Sequence, residues 1–561
     1  MSLRSPQLGA ASSDEELASA AGTARDSVTV GLWTSVSRVT GVVRVVMIGA
    51  VLGPTFFGNA YQLTNTLPNL IFYGFLAGSL LSSLLVPALV RHIDAGRTED
   101  TARVSGGFLG VAMLALLVAS PLAVVAVPFL LQLAAIGEPA AVMADQVSQT
   151  RLLLVLALPQ VFLYAVIASA TAVSYAHRRY TLAAAAPAIE NIGVVGVLAA
   201  AALIYGTDHG TAGSVPTAEI LLLGLGSTAA VAVHALLQWW GARRFGVSVH
   251  PRAGWRDPEV RTVISRANRA LLQSGMLAAQ VLLLLVLASR VAGGTVALQI
   301  SLNFYHLPLA LAAAPVGLAL LPRLSRLGDG SNDQVFADSF NRAVTLALFL
   351  VVPAAFGYVV LAGPLAETVA AGQMGTTAGV AMVAGSLAAI SLGLVGETLF
   401  VVSTQAAYSR GQVGVPLASM ALQTVVCVAV AIPVLFADQD HVLPLLGGAY
   451  ALAAIVGGVH LYSRVRASCG PTSHRLTPSL VRITGAALVM APVAGLAARA
   501  TTWMVDGRAG QIAAVLAGTI CGAVVYGLVH LLLRSTELVW LVDGVRSKRA
   551  STPTDVGSGS P

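Results

Sequence analysis

Charged residues are scarce in this chain. Of its 561 residues, 56% are hydrophobic and only 10% are charged, whereas soluble domains carry about 25% charged residues. This scarcity excludes a soluble globular protein and predicts a polytopic membrane protein. The length is that of a secondary transporter rather than of a single-span receptor or anchor.

Lysine and cysteine are also rare. Lys548 is the only lysine, so arginine carries nearly all of the basic excess that gives a net charge of +7. The arginines lie in loops between apolar segments, where they set membrane topology, and we therefore expect no nucleic-acid partner. The three cysteines, Cys427, Cys469 and Cys521, lack the spacing of metal ligands and are expected to be unpaired thiols.

Enzyme motifs are absent as well. The sequence has no Walker motif, no nucleophile elbow, no metal-ligand cluster and no sizeable soluble domain. We therefore expect a transporter that is not an enzyme, with no cofactor and no metal site, although a coupling cation stays open. An ATP-driven pump would need an ATPase on a separate subunit.

Apolar segments long enough to cross a bilayer recur along the whole chain. A span needs about 20 apolar residues, and fourteen segments qualify. These are 27–52, 58–90, 104–134, 149–175, 181–205, 217–241, 264–289, 296–322, 338–364, 376–408, 413–436, 442–463, 478–500 and 510–533. The sequence thus predicts an all-α polytopic membrane protein with about 14 transmembrane helices.

The distribution of arginine predicts the orientation of these spans. With a cytoplasmic N-terminus, the inside segments hold 26 of the 32 lysines and arginines. The exceptions are Arg151, Arg290, Arg499 and Arg508 in outside segments, with Arg38 and Arg44 inside the first span. This asymmetry follows the positive-inside rule. We expect a multi-pass protein of the plasma (inner) membrane with both termini cytoplasmic.

A weak internal repeat predicts two lobes. The second span has Leu67-Pro68 and ends Pro87-Ala-Leu-Val-Arg91, and the eighth has Leu307-Pro308 and ends Pro322-Arg-Leu-Ser-Arg326. The repeat lies six spans apart, so the two halves would share one orientation. The predicted divisions are a disordered N-terminus (1–26), a six-helix N-lobe (27–241), a basic segment (242–263), a six-helix C-lobe (264–463), two further helices (464–533) and a tail (534–561).

The basic segment 242–263 has two interpretations. It anchors the topology, with an amphipathic stretch on the lipid headgroups, or it links the two lobes. Both interpretations place it on the cytoplasmic side.

Two arginines inside the first span are candidates for anion binding. Arg38 and Arg44 are six positions apart, about 240° around a helix, so both can border only a wide cavity. Arg38 either snorkels to the headgroups or binds substrate, whereas Arg44 is too deep to snorkel easily. Paired guanidiniums suit a phosphate or diphosphate because their planar fork binds anionic oxygens.

Other ionisable residues also lie within spans. Glu190 and Glu397 suggest an ion pair or a proton or cation site, with a structural hydrogen bond as the alternative. His306 precedes Pro308 in the eighth span and is either a satisfied interior residue or a titrating switch. His234 has no partner that the sequence identifies.

Several motifs resemble the MurJ (MviN) family of lipid II flippases in the MOP exporter superfamily. Ser37-Arg38-Val-Thr-Gly-Val-Val-Arg44 is similar to that family's S-R-x-x-G-x-x-R, and Leu67-Pro68-Asn69-Leu70 to Val86-Pro87 is similar to its L-P-N-L…V-P. The further matches are Pro159-Gln-Val-Phe-Leu-Tyr164, Arg179-Tyr180, Ala186-Pro187, Asn191-Ile192, Pro308, Leu321-Pro-Arg-Leu-Ser325, and Ala407-Tyr-Ser-Arg410 with Pro416. They occur in the family's order over most of residues 30–420.

The resemblance implies a function and a site. It implies movement of a lipid-linked peptidoglycan precursor to the outer leaflet by alternating access, with Arg38 and Arg44 holding the diphosphate. Where the family carries further charges, this chain has Asn59, Phe72 and Asn303. The expected cavity-lining residues are Asn59, Pro68, Asn69, Phe72, Asn303 and His306. Glu190 and Glu397 are the expected coupling residues.

Three functions remain open at this point. The first is flipping of lipid II or, given the missing cations, of another polyprenyl-linked glycan. The second is cation-coupled export of small amphiphiles, and the third is a scaffold for wall-synthesis enzymes, against which the lack of a soluble domain argues. The expected partners are the lipid-linked oligosaccharide, membrane lipids and proteins of cell-wall synthesis or division.

Overall fold

The computed structural model describes residues 32–71, 85–134, 140–209, 215–313, 316, 333–473 and 476–540. Within these ranges the chain is helical and contains no strand. The predicted all-α fold is therefore confirmed. The predicted N-terminal segment 1–26 and most of the predicted tail lie outside the described residues.

The chain divides into two compact units. The first lies within Met1–Leu133 and Gly137–Ala278, and the second within Ala134–Ile136 and Ala279–Pro561. The described helices of the first unit are α1 (Leu32–Leu52), α2 (Phe56–Ile71), α3 (Val86–Asp94), α4 (Thr98–Ala134), α5 (Ala140–Ala176), α6 (Thr181–Tyr205), α7 (Thr217–Arg243) and most of α8 (Pro258–Ala288).

The second unit begins within α8. Its other described helices are α9 (Gly294–Pro308), α10 (Asp333–Val369), α11 (Thr377–Ser391), α12 (Leu394–Ser409), α13 (Gly414–Ala431), α14 (Gln439–Ala467), α15 (Leu476–Met504) and α16 (Gly507–Leu532). A π-helical turn, Leu309–Ala313, continues α9, and a 3-10 turn, Ile432–Phe436, continues α13.

The number of membrane spans is close to the prediction but does not confirm it. Twelve helices of the described residues are long and apolar enough to cross a membrane, and the pair α11–α12 brings the number to 13 if it counts as one span. The remaining predicted span, 58–90, contains residues 72–84, which lie outside the described residues. Its flanks form α2 and α3.

The predicted span 376–408 is broken in the structure. Helices α11 and α12 meet at an angle of 47° across Leu392 and Gly393. The sequence there is apolar on both sides and contains no proline, so hydropathy gives no sign of the break. Glu397 lies in the first turn of α12, directly after it.

Helix α5 lies at the centre of the first unit. Its buried residues, Tyr164 among them, pack with residues of α3, α4, α7 and the segment after α7, including Leu89, Phe108, Ala235 and Val249. Pro159 lies inside this helix. A proline is tolerated at membrane depth because neighbouring helices can satisfy the backbone group that it leaves without a partner.

The connection between α7 and α8 packs on the start of α4. Helix α7 ends at Arg243 and α8 begins at Pro258, so the predicted basic segment 242–263 is partly helical. The amide of Arg252 donates to the Gly106 carbonyl at 2.9 Å. A Cβ atom at Gly110 would lie 1.9 Å from the Arg252 carbonyl oxygen, so this close backbone contact requires glycine.

Candidate functional site

The two arginines of α1 lie in different environments. Arg38 is exposed, whereas Arg44 is 8% exposed and contacts α6. Their six-residue separation turns the two side chains about 240° apart around the helix. In this structure the two guanidiniums therefore lie on different faces of α1.

Two side chains of α6 hold Arg44. Its Nη1 atom donates to Oε1 of Glu190 at 3.3 Å and to Oδ1 of Asn191 at 3.2 Å. Glu190 is buried as well, so the two residues form a buried ion pair. Removing either charge would leave the other buried and uncompensated, at a cost of about 3–5 kcal/mol. The structure thus joins two residues to which the sequence assigned separate roles.

Two further helices complete the hydrogen bonding of the carboxylate. The hydroxyl of Tyr164, on α5, donates to Oε1 of Glu190 at 2.7 Å. The Nδ1 atom of His234, on α7, lies 2.7 Å from Oε2. An ionised carboxylate only accepts, so His234 donates from Nδ1. Glu190 thereby collects donors from α1, α5 and α7.

The side chain of Asn191 also hydrogen-bonds to α1. Its Nδ2 atom lies 3.3 Å from the Ser37 carbonyl oxygen and 3.3 Å from Oγ1 of Thr40. A Cβ atom at Gly41 would come within 3.5 Å of that Nδ2 atom, which is ordinary contact. We call Arg44, Tyr164, Glu190, Asn191 and His234 the Arg44 network.

Polar pairs continue beside the Arg44 network. The hydroxyls of Tyr61, on α2, and Ser227, on α7, lie 2.7 Å apart. Gln160, on α5, donates to Oγ1 of Thr228 at 2.9 Å. These bonds join α2, α5 and α7, so the helices around Arg44 are fixed by hydrogen bonds as well as by apolar packing.

The other predicted site residues of the first unit are in or near its interior. Asn59 and Pro68 are buried, and Asn69 is partly buried. The Oδ1 atom of Asn69 is inaccessible to solvent and has no hydrogen-bond partner among the described residues. Phe72 lies outside the described residues.

Two of the predicted cavity residues lie on α9 in the second unit. Asn303 is partly buried, and its Nδ2 atom donates to the Gln299 carbonyl at 2.9 Å. His306 is exposed, and its Nδ1 atom lies 2.6 Å from the Leu302 carbonyl oxygen. Both side chains therefore bond to the preceding turn of their own helix.

Glu397 lies in a different setting from Glu190. Its Oε2 atom is buried and has no hydrogen-bond partner among the described residues. In the same unit, the buried rings of Tyr305 and Tyr450 meet edge to face with centroids 5.5 Å apart. The two glutamates that the sequence grouped together thus differ, since Glu190 has three donors.

Sequence reasoning missed three members of the Arg44 network. Tyr164 and Asn191 were parts of family-like motifs but had no role, and His234 had no partner. The available signal was weak: each is a polar residue in an otherwise apolar span. Glu190, the common partner of two of them, lies 26 positions from Tyr164 and 44 from His234, distances that helical periodicity does not relate.

The donor set of the described residues does not suggest a metal centre. No group of three or more His, Cys, Asp or Glu residues in the described part of the chain could hold a metal ion. The cysteines are unpaired, as expected. What the Arg44 network offers is a buried cation, a carboxylate and an imidazole in contact. Such a set can bind an anion or exchange a proton.

Comparison with known proteins gives one consistent family. Residues 48–509 match the family model described as "Lipid II flippase MurJ". A "Probable lipid II flippase MurJ" of Rhizobium meliloti (strain 1021) is 28% identical over 341 residues, which cover 60% of this chain and 61% of the relative. The protein of the same description from Vibrio cholerae serotype O1 is 26% identical, covering 61% and 64%. The chain thus spans about three fifths of the length of the curated relatives it matches.

Solved structures show the same fold. A "Lipid II flippase MurJ, inward closed conformation" superposes with a TM-score of 0.64 at 16% identity, covering 91% of this chain and 100% of that one. An inward-facing multidrug resistance MATE family transporter of the MOP superfamily gives a TM-score of 0.59 at 14% identity, covering 77% and 95%. Because the family model matches residues 48–509, the resemblance seen in the motifs is confirmed, and the chain belongs to the lipid II flippase MurJ family.

Proposed function

We propose that this protein moves a polyprenyl-diphosphate-linked cell-wall precursor, lipid II, from the inner to the outer leaflet by alternating access, for peptidoglycan synthesis. Family membership and the names of the relatives support this function. The observation that carries it is Arg44, an arginine kept buried inside a membrane span by a carboxylate. An intramembrane arginine is costly and is retained where it has a functional partner.

Arg44 and Arg38 are the proposed ligands of the diphosphate. A bare diphosphate cannot enter the low-dielectric core without a counter-charge, because desolvation of each charge costs several kcal/mol. A guanidinium supplies that charge and a planar fork that matches phosphate oxygens. Arg38 is exposed on α1 and is therefore available for the first encounter.

The remaining assignments belong to the same proposal. The two compact units support an organisation in two lobes. The arginine distribution supports a plasma-membrane protein with both termini cytoplasmic. Proteins of cell-wall synthesis or division are the proposed protein partners. Asn303 and Phe72, where the family carries arginines, make another polyprenyl-linked glycan the alternative substrate.

Complementation tests the function and the site together. We would express the chain in bacteria depleted of their own lipid II flippase and measure growth and surface-exposed lipid II. We expect rescue by the wild type and by Arg151→Ala, which removes an exposed arginine of the same unit, but not by Arg44→Ala. Normal flipping by Arg44→Ala would rule out the proposed site. Failure of a well-inserted wild type would favour another glycan.

A second function, cation-coupled export of small amphiphiles, is favoured by one observation. The buried Oε2 atom of Glu397 has no hydrogen-bond partner among the described residues, and such a carboxylate is suited to bind a proton or cation. Export of cationic dyes from cells that is lost in Glu397→Gln would support this function. Unchanged dye retention with and without the protein would exclude it.

A further inference from the structure

Glu190 forms an ion pair with the guanidinium of Arg44, the group to which the proposed substrate would have to bind. Oε1 of Glu190 lies 3.3 Å from Nη1 of Arg44, and Arg44 is almost inaccessible to solvent. We infer that Glu190 is an internal counter-ion that holds Arg44 until a diphosphate arrives, and that His234 takes up a proton as Arg44 is released. This inference rests on the proposed function and deepens it.

The charges of the network show why release requires a proton. With neutral His234, Arg44 and Glu190 form a pair of zero net charge. If Arg44 turned to a diphosphate, the carboxylate would remain buried and uncompensated beside a second anion, and both effects oppose the movement. A proton on His234 removes the difficulty, because the imidazolium then replaces Arg44 as the counter-ion.

The geometry already fits this exchange. His234 and Arg44 contact different oxygens of Glu190, Oε2 and Oε1. Tyr164 shares Oε1 with Arg44, so that oxygen keeps a hydrogen bond when the arginine leaves. Before release the network holds Arg44⁺, Glu190⁻ and neutral His234. Afterwards it holds Glu190⁻ and His234⁺, and one proton has come from solution for each arginine released.

Few other groups in the described part of the chain can exchange that proton. Glu190 of α6 bonds to His234, and Arg44 of α1 and Tyr164 of α5 reach the same carboxylate. Tyr61 of α2 bonds to Ser227, two turns before His234 on α7. The proton therefore resides on the Glu190–His234 pair.

Binding of a diphosphate probe as a function of pH tests the inference. We would place the full chain in lipid nanodiscs and measure the Kd for undecaprenyl diphosphate between pH 6 and pH 8.5. Uptake of one proton per ligand makes the Kd rise by up to about tenfold per pH unit. We expect this slope for the wild type.

Two variants should flatten the dependence of the Kd on pH, and they should have opposite effects on the affinity for the probe. Glu190→Gln cannot hold Arg44 as an ion pair, so we expect tighter binding at pH 8, by roughly tenfold, and a flat pH profile. His234→Gln keeps a hydrogen bond to Glu190 but cannot carry the proton. We expect a flat profile with weak binding at every pH, since Arg44 then stays with Glu190.

A matched control is available on the same helix. Glu219, at the start of α7, is also buried and lies 2.7 Å from a histidine, His209, but it has no arginine partner among the described residues. Glu219→Gln should therefore keep the slope and the affinity of the wild type. Circular dichroism and size-exclusion profiles of every variant verify the fold.

The outcomes separate the inference from the proposed function. If a folded Glu190→Gln binds no more tightly than the wild type, or keeps its pH slope, the counter-ion role is overturned while the flippase proposal stands. If Arg44→Gln binds the probe as well as the wild type does, Arg44 is not the diphosphate ligand, and both proposals about this site fail.

Discussion

The carboxylate of Asp257 bonds to Arg103 on α4 and also caps helix α8. Its Oδ1 atom accepts from the backbone amides of Glu259 and Val260 at 2.9 and 3.3 Å, and Oδ2 accepts from Nη1 of Arg103. Burial raises the pKa of Asp257, but Arg103 and the two amides outweigh it, so that the pKa is lowered. This one side chain thereby fixes the start of α8 to α4.

The two functions of Asp257 can be separated by mutation. Asp257→Asn retains a good N-cap and loses only the ion pair, whereas Asp257→Ala loses both. We expect Asp257→Ala to lose about 1–2 kcal/mol and Asp257→Asn less than half of that. Thermal unfolding of the purified proteins in detergent, followed by tryptophan fluorescence, measures the loss of stability in each variant. Equal losses in both variants would assign the whole effect to the ion pair.

A second pair predicts a dependence of stability on pH. His209 lies in the connection before α7, with its side chain 5% exposed and Nε2 at 2.7 Å from Oε1 of Glu219. The hydrogen bond to Glu219 raises the pKa of His209, and this effect exceeds the opposing one of burial. The folded-state pKa thus lies above the ordinary value of 6.5. The stabilisation is complete below that value and is lost as the pH rises through the folded-state pKa.

The measurement is the melting temperature between pH 5.5 and pH 9. We expect the wild type to lose roughly 2–4 °C more than His209→Gln over this range. His441→Gln, which removes an exposed histidine, should follow the wild type. A wild-type curve parallel to that of His209→Gln would show that the pair does not titrate in this range.

Sequence alone predicted the spans well because the bilayer constrains them directly. Helix α16 was expected at 510–533 and runs from Gly507 to Leu532, and α7 was expected at 217–241 and runs from Thr217 to Arg243. Each requires only a run of apolar residues of sufficient length. The break between α11 and α12 is a tertiary feature with no change in hydropathy, so no pattern indicated it.

The candidate site was predicted residue by residue but not as an arrangement. Arg44 and Glu190 were both recognised because a charge inside a span is rare. Their contact joins positions 146 residues apart, and nothing in the period of a helix relates such positions. His234 meets Glu190 only because α6 packs on α7. The sequence does not show that packing, so it identified no partner for His234.

Helices α12 and α14 pack closely, and we therefore expect substitutions of two glycines of α14 to have different results. A Cβ atom at Gly458 would lie 2.0 Å from the Gly396 carbonyl oxygen, whereas one at Gly448, on the same helix, meets nothing within 4 Å. Small residues allow such backbone contact between membrane helices. We expect Gly458→Ala to lower the folded yield several-fold and Gly448→Ala to be neutral or slightly stabilising.

Fluorescence-detected size exclusion of the two glycine variants checks this expectation. The comparison is matched because both substitutions add one methyl group to α14. An unchanged monodisperse peak for Gly458→Ala would mean that α12 and α14 separate enough to admit the methyl group.

The segment after α16 folds back on the second unit, although the sequence predicted a tail from residue 534. Arg534, which follows the end of α16, has a left-handed backbone conformation with φ 46°. Oε1 of Glu537, which is 0% exposed, lies 2.7 Å from Nη2 of Arg482 on α15. The ring of Trp540 lies 4.5 Å from the guanidinium carbon of Arg342 on α10. Residues 535–540 thereby connect the end of α16 to α15 and α10.

Removing the carboxylate of Glu537 should release this segment. Burial raises the pKa of Glu537, but Ser479 and Arg482 outweigh it and the pKa is lowered. The stabilisation is therefore present at neutral pH and is lost as the pH falls through the folded-state pKa, below the ordinary value of 4.5. Because Arg482 is partly exposed, we expect Glu537→Ala to lose only about 2 kcal/mol at pH 7.

Limited proteolysis at pH 7 measures the release. Glu537→Ala should be cleaved after Arg534 several times faster than the wild type, because the segment 535–540 then opens more often. Val539→Ala, which shortens an exposed side chain of the same segment, is the matched control and should resist cleavage like the wild type. Equal cleavage rates for Glu537→Ala and the wild type would show that Arg342 and Trp540 alone hold the segment, and Trp540→Ala would then become the variant that frees it.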